Sequence, residues 1–317
     1  MLTLPHRQPI FHRRLANDRY LTRTDDAMTQ LTQLIVQGIS SGAIYGLVAL
    51  GLVLGYKATE VLNFAQGDVV MLSAFLGWGL VVAVGLPFWL SFVLVLCISA
   101  ALCFLLEAKI MRRIAGRPQF SGVMLTIGIG FMIRGGVSML FGPQSRSYPT
   151  PWTGQSMQIG GSVVAELNLV IVGAAMGVTA LLYYFLRRTT LGVAIHATSQ
   201  NQLAAYLCGV RVKRLNSMVW AISGAIAALC GLLLAPITLV DLGLWFVMLK
   251  ALAALVLGGF GSAPGAVIGG LLIGLIEQFA GVYLPDGVKD VAPYLVLIGV
   301  LVLYPRGILG ESHGRRV

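Results

Sequence analysis

Apolar runs long enough to cross a lipid bilayer recur along nearly the whole chain, at about 34–56, 69–86, 88–106, 123–141, 167–186, 215–235, 244–260, 264–284 and 291–305. A crossing α-helix needs about 20 mostly apolar residues, and hydrocarbon offers no water to an unpaired backbone group. The pattern therefore predicts an all-α, polytopic transmembrane helical bundle. A transmembrane β-barrel would show weak alternation over about ten residues per strand, not unbroken blocks. Composition agrees, with 57% of the 317 residues hydrophobic and 11% charged, against roughly half and a quarter in a soluble domain. The polar run at 61–86 can cross, break or re-enter, so eight, nine or ten crossings stay open.

The net charge of +10 does not point to nucleic acid, because the basic residues gather in loops between the runs. One loop carries Lys109, Arg112, Arg113 and Arg117, and the loop at 187–214 carries Arg187, Arg188, Arg211, Lys213 and Arg214 without an acid. The tail adds Arg306, Arg315 and Arg316, whereas 142–166 holds only Arg146, 236–243 holds no Lys or Arg, and 285–290 holds only Lys289. Parity puts the three basic segments on one side, which the positive-inside rule makes cytoplasmic, the C-terminus with them. Residues 1–28 differ in kind, with five arginines and no apolar block. They read as a disordered tail or as a misassigned start before Met28. The permease domain is expected at 29–310 and a cytoplasmic tail at 311–317.

Thirty-nine glycines, many inside the runs, let helix backbones approach closely where no hydrophobic drive separates helix from lipid. "ALGLVLG" leading to "FAQGDVVMLSAFLG" and "ALAALVLG" leading to "GSAPGAVIGGLLIG" also suggest an internal repeat of the kind transporters use.

Within "VLNFAQGDVVMLSAFLGW", Asn63, Gln66 and Asp68 stand in an otherwise apolar segment. They can cap the start of a helix, or line a solute path at a broken helix, since irregular backbone at membrane depth is tolerated only beside protein or water. Lys250, Glu277 and Arg134 also interrupt apolar runs. The common fate of a lone lysine is to snorkel to the interface, while Glu277, midway along its run, is expected to face the interior. The loop at 187–216 reads as a short amphipathic helix between basic ends, either lying on the membrane surface or docking a partner.

No enzyme pattern appears. The G-x-x-x-x-G-K-[ST], H-E-x-x-H and G-x-S-x-G motifs are missing, and the four histidines are scattered. Cys97, Cys103, Cys208 and Cys230 lack metal-site spacing.

"GLVLGYKATEVLNFAQGDVVMLSAFLGW", "RRTTLGVAIHATSQNQLAAYLCGV" and "LKALAALVLGGFGSAPGAVIGGLLIGLIEQ" resemble, in order, the permeases of branched-chain amino acid ABC importers, LivH-like subunits in particular. The resemblance covers about residues 30–310. It implies an importer of two permease chains (the second usually related but different), two ABC ATPase subunits and a periplasmic substrate-binding protein, in a bacterial inner membrane. ATP and Mg would bind the ATPases and no cofactor this chain. It also implies a solute path bordered by Asn63, Phe64, Gln66 and Asp68, to which Lys250 and Glu277 are added as intramembrane ionisable residues. Family members usually read "NFAHGE" there, so Gln66 and Asp68 depart mildly.

The same resemblance makes 187–214 the ATPase-coupling loop, with Arg187, Arg188, Leu191 and Gly192 at its start. His196, Asn201, Ala204 and Gly209 follow, and Val193 and His196 stand where arginines are typical. The loop at 142–166, with Pro143, Arg146 and Trp152, is the expected docking surface for the binding protein. The rival reading is a stand-alone secondary transporter or channel for a small polar solute, coupled through Asp68, Lys250 and Glu277.

Overall fold

The computed structural model describes residues 10–304 other than 115, 160, 161, 260 and 286, together with Gly307, with side chains described from Thr29 onward apart from 159 and 162. Residues 1–9 of the N-terminal segment lie outside the described residues. So do Arg306 and the tail expected at 311–317 with its Arg315 and Arg316.

The chain runs α1 (Ile10–Thr59), α2 (Gln66–Trp78), α3 (Phe88–Leu105), α4 (Gln119–Phe141), β1 (Ser156–Ile159), β2 (Ser162–Ala165), α5 (Glu166–Arg188), α6 (Thr190–Gln200), α7 (Gln202–Leu207), α8 (Val212–Thr238), α9 (Val247–Gly258), α10 (Ala263–Tyr283) and α11 (Val288–Leu303). A wider π turn extends α2 through Ala83, and π and 3-10 turns extend α3 through Ile114. Among the described residues, seven of these segments are long and apolar enough to cross a membrane: Thr29–Thr59, Gln66–Ala83, Phe88–Ile114, Gln119–Phe141, Glu166–Arg188, Val212–Thr238 and Ala263–Tyr283. Two expected runs fall short of that length. Leu242–Gly258 is a 3-10 turn followed by the short α9, and α11 spans 16 residues.

Prolines and small polar residues set the helix boundaries. Pro87 and Pro118 precede α3 and α4, where a missing N–H costs nothing and the residue before is steered out of the helical region. Ser262 Oγ accepts from the Gly265 N–H at the start of α10. Glu60 and Leu239 adopt positive φ just past α1 and α8, a left-handed stop usually given to glycine.

Cross-chain bonds define two ends. At one, the Gln33 side chain donates to Val163 O in β2 (3.3 Å), and Arg146 and Val240 exchange backbone bonds of 2.9 and 2.8 Å. At the other, Arg112 donates to Lys213 O (3.0 Å) and Gln202 to Ala58 O (3.1 Å). Both described basic loops thus meet at one end, as parity required, and the β1–β2 hairpin, a small addition to the all-α expectation, sits at the opposite one.

The tightest pairing is α1 against α10. Gly42 and Gly46 face Gly270 and Gly274, and a Cβ on either α10 glycine would collide with α1 backbone. α1 and α8 occupy the centre, while α3, α4 and α5 present most of their surface outward.

Candidate functional site

The polar residues singled out in the sequence separate into two buried clusters, each at a break in a helix. The first begins where α1 ends. Asn63 Oδ1 accepts from the Ala65 N–H (3.1 Å), and the Asn63 amide reaches Gln66 Oε1 (3.5 Å), so Asn63 does hold the approach to α2. Gln66, with no exposed surface, donates to Ser223 O (3.0 Å) on α8, while Ser223 Oγ sits 2.9 Å from Gly51 O and 3.0 Å from Gln66 Oε1. Gln66 and Ser223 together tie α2 and α8 to α1. The Phe64 N–H donates to Thr126 Oγ1 (3.2 Å) on α4.

Asp68 does more than favour the start of a helix. Its Oδ1 accepts from both Nε (3.0 Å) and Nη2 (2.9 Å) of Arg134. Gly130, one turn earlier on α4, leaves the space that the carboxylate fills. The Arg134 guanidinium then stacks on Trp245, 3.8 Å from the ring centroid, within the 3-10 turn Leu242–Phe246 before α9. Gly67 packs on the Trp245 carbonyl. The break before α2 and the break before α9 therefore touch, with one ion pair between them. Both Asp68 and Arg134 stand out in the sequence, but their pairing across 66 residues does not.

The second cluster joins α9, α10, α1 and α11. Lys250 Nζ lies 2.9 Å from Glu277 Oε1 and 3.4 Å from Asp290 Oδ1, and the Tyr45 hydroxyl donates to Glu277 Oε2 (2.7 Å). Glu277 faces the interior, 4% exposed, as its mid-run position predicted. Lys250 does not take the common course of a lone lysine, because its side chain is 15% exposed and points to the buried acid. A carboxylate held in a poorly solvated interior captures the nearest ammonium, since an unpaired charge there costs several kcal/mol. A cavity of about 670 Å³ opens beside this cluster, lined by Tyr45, Asp241, Lys250, Asp290 and Tyr294 among others. Tyr45 and Asp290 escaped sequence reading: a tyrosine in an apolar helix is unremarked, and Asp290 beside Lys289 reads as a solvated turn.

At the basic end, the loop after α5 forms two short helices where one was expected. Thr189 caps α6 by accepting from Gly192 (3.1 Å), and Asn201 starts α7 by accepting from Ala204 (2.9 Å). Gly192 lies against the Leu186 backbone, Gly209 ends the pair at φ +88°, and Arg187 covers the Tyr183 ring at 4.7 Å. Leu191 is exposed, as is His196, which faces Gln200 at 3.4 Å, and Arg188 is exposed as well. Leu203, Tyr206 and Leu207 form an outward apolar face on α7. Glu107, unremarked in the sequence, is buried here between Arg112 (3.4 Å) and the Ser217 hydroxyl.

At the hairpin end Pro143 is exposed. Arg146 is turned inward, donating to Phe141 O and lying 4.0 Å from the Trp78 ring centroid. Trp152 packs edge-on against Phe88 (5.6 Å) and Trp89 (5.8 Å).

A multi-pass bundle with interrupted helices and charges neutralised in pairs is the architecture of a membrane permease. The family model described as branched-chain amino acid transport system / permease component matches residues 34–301, and the chain belongs to that family. The high-affinity branched-chain amino acid transport system permease protein LivH of Escherichia coli (strain K12) is 28% identical over 300 residues, covering 90% of this chain and 97% of its own. The corresponding BraD protein of Pseudomonas aeruginosa is 29% identical over 299 residues, with the same coverage. The fructose import permease protein FruF of Bifidobacterium longum is 22% identical, covering 77% of this chain and 69% of its own.

Proposed function

We propose that this chain is the permease subunit of an ATP-binding-cassette importer in a bacterial inner membrane. With a second, related permease it forms the path for branched-chain amino acids, or a related amide or urea, delivered by a periplasmic binding protein. The observation that carries the reading is the near full-length match to LivH and BraD, whose names state that transport system. The sugar permease at lower identity leaves the solute to be tested.

Several features support the parts of this reading. The end where Arg112 meets the α8 start is read as the cytoplasmic one by the positive-inside rule, α6 and α7 with it, and the basic tail assigns the C-terminus to the same side. Two ATPase subunits, holding ATP and Mg, dock on that end, with Arg187, Arg188, Leu191 and Gly192 through Gly209 as the coupling segment. The binding protein docks at the hairpin end around Pro143 and Trp152. The touching helix breaks at Gly67 and Trp245 border the path, as discontinuous helices do in other transporters.

A mild-detergent pull-down from the native membrane tests the assembly, followed by leucine uptake into vesicles carrying the recovered complex. Recovery of a Walker-motif ATPase and a second permease, with ATP-dependent uptake, is the expected result. A chain that purifies alone and moves solute without ATP overturns the reading.

A further inference from the structure

We propose that the cavity beside Lys250 is a recognition chamber within the permease for the ammonium group of its solute, and that the solute opens the Lys250–Asp290 contact on entering. This rests on the permease reading above and adds a site and a ligand chemistry to it.

The chamber has about 670 Å³, within the roughly 300–1,000 Å³ of small-molecule sites. It lies at the hairpin end, where Val240, paired with Arg146, leads into Asp241. Charge decides what enters. Asp241 and Asp290 line the wall, and Glu277 stands behind Lys250, so the chamber and its back wall hold three carboxylates and one ammonium, which Glu277 and Asp290 contact. That ammonium is already held by Glu277 at 2.9 Å. The neighbouring Lys289 lies along α10 at Gly281 and does not line the chamber. An incoming carboxylate would thus meet surplus negative charge, and an incoming ammonium would meet it with opposite sign.

The two contacts of Lys250 differ in strength. Glu277 is buried and also fixed by Tyr45, whereas the Asp290 side chain is 79% exposed and 3.4 Å away. Exposed pairs contribute little, so Asp290 is the acid a competing ammonium can take. Leu244, Phe246 and Val291 supply apolar wall for an aliphatic side chain, which leaves the carboxylate of a zwitterion toward the open mouth.

The test is calorimetric titration of the full-length chain in nanodiscs with L-leucine, 3-methylbutylamine and 4-methylpentanoate. Leucine and the amine are expected to bind, with 4-methylpentanoate at least tenfold weaker. Asp241→Asn and Asp290→Asn should each weaken amine binding tenfold or more. Asparagine keeps the Oδ1 acceptor that caps Gly243, and Asp290 is exposed, so both variants fold; their melting curves check this.

Binding of 4-methylpentanoate as tight as the amine, or amine affinity unchanged within twofold in both variants, overturns the proposal. Failure of every probe to bind, while the assembled complex imports leucine, also overturns it and leaves the permease reading intact. Amine binding lost in the variants alongside a complex that does not import leucine supports the chamber and counts against the substrate reading.

Discussion

Lys250 Nζ stands 2.9 Å from Glu277 Oε1, and the other oxygen of that carboxylate accepts from Tyr45. One buried acid therefore fastens α9, α10 and α1. Removing one member of such a pair leaves an uncompensated charge, at about 3–5 kcal/mol, while replacing both with apolar residues of similar size is near neutral. Glu277→Ala is expected to lower the melting temperature of the purified chain sharply, and Lys250→Met with Glu277→Leu to restore most of it. A single and a double variant that melt alike would show that the pair is not structural.

The Asp68–Arg134 pair predicts a graded series. Arg134→Ala leaves Asp68 buried and charged, at about 3–5 kcal/mol. Arg134→Lys keeps the charge but loses the flat guanidinium that lies on Trp245, and lysine does not replace arginine at stacked or bidentate sites. A desolvated cation–π contact is worth about 2 kcal/mol, so the lysine variant should fall between wild type and alanine in thermal unfolding.

Glycine position matters more than glycine content. Gly270→Val places a side chain against the Gly46 and Gly42 backbone, and overpacking by even one or two methyl groups costs about 1–3 kcal/mol or more. Gly173→Ala in α5 meets open space and should gain up to about 1 kcal/mol of helix propensity. Expression level and monodispersity in detergent should separate the two variants in opposite directions.

On the basic end, Gly192→Val drives a side chain into the Leu186 backbone and displaces α6. Leu203→Asp and Leu207→Asp change only the exposed face of α7, where surface substitutions fall within about 0.5 kcal/mol. All three are expected to lose co-purifying ATPase, the aspartates without any drop in melting temperature. An α7 double aspartate variant that keeps its ATPase would move the docking surface elsewhere.

Tyr148 gives a pH prediction. Burial pushes its phenol up to about 12 from about 10, and Oη has no hydrogen-bond partner among the described residues. The folded chain holds the proton longer than the unfolded one, so stability from this group is complete below about pH 10 and is lost as pH rises through about 12. Tyr148→Phe should abolish that part of the alkaline decline. At neutral pH it should be neutral or slightly stabilising, because it removes a buried hydroxyl that has no partner.

The spans were legible because hydropathy over about 20 residues is a one-dimensional signal. Phe88, Gln119 and Glu166 begin helices within a few residues of where their runs begin or where a proline precedes them. Pairings were not legible. Lys250 and Glu277 are 27 residues apart, and Asp68 and Arg134 are 66 apart, and nothing local records that α9 leans on α10 or α2 on α4. The division of the 187–214 loop could have been read from Asn201, a favoured helix-capping residue followed by Gln-Leu-Ala. Gly128, Gly135 and Gly136 looked like packing residues, yet they meet open space while Gly130 makes room for Asp68.

The seam between α1 and α10 has a mechanical consequence. With backbone against backbone at Gly42, Gly46, Gly270 and Gly274, a slide of one residue would ram a side chain into the opposing main chain. The two helices accordingly behave as one stiff beam that transmits force without flexing. Any rocking of the subunit is then left to the places where the helical ladder is already cut, ahead of Gln66 and between Asp241 and Val247.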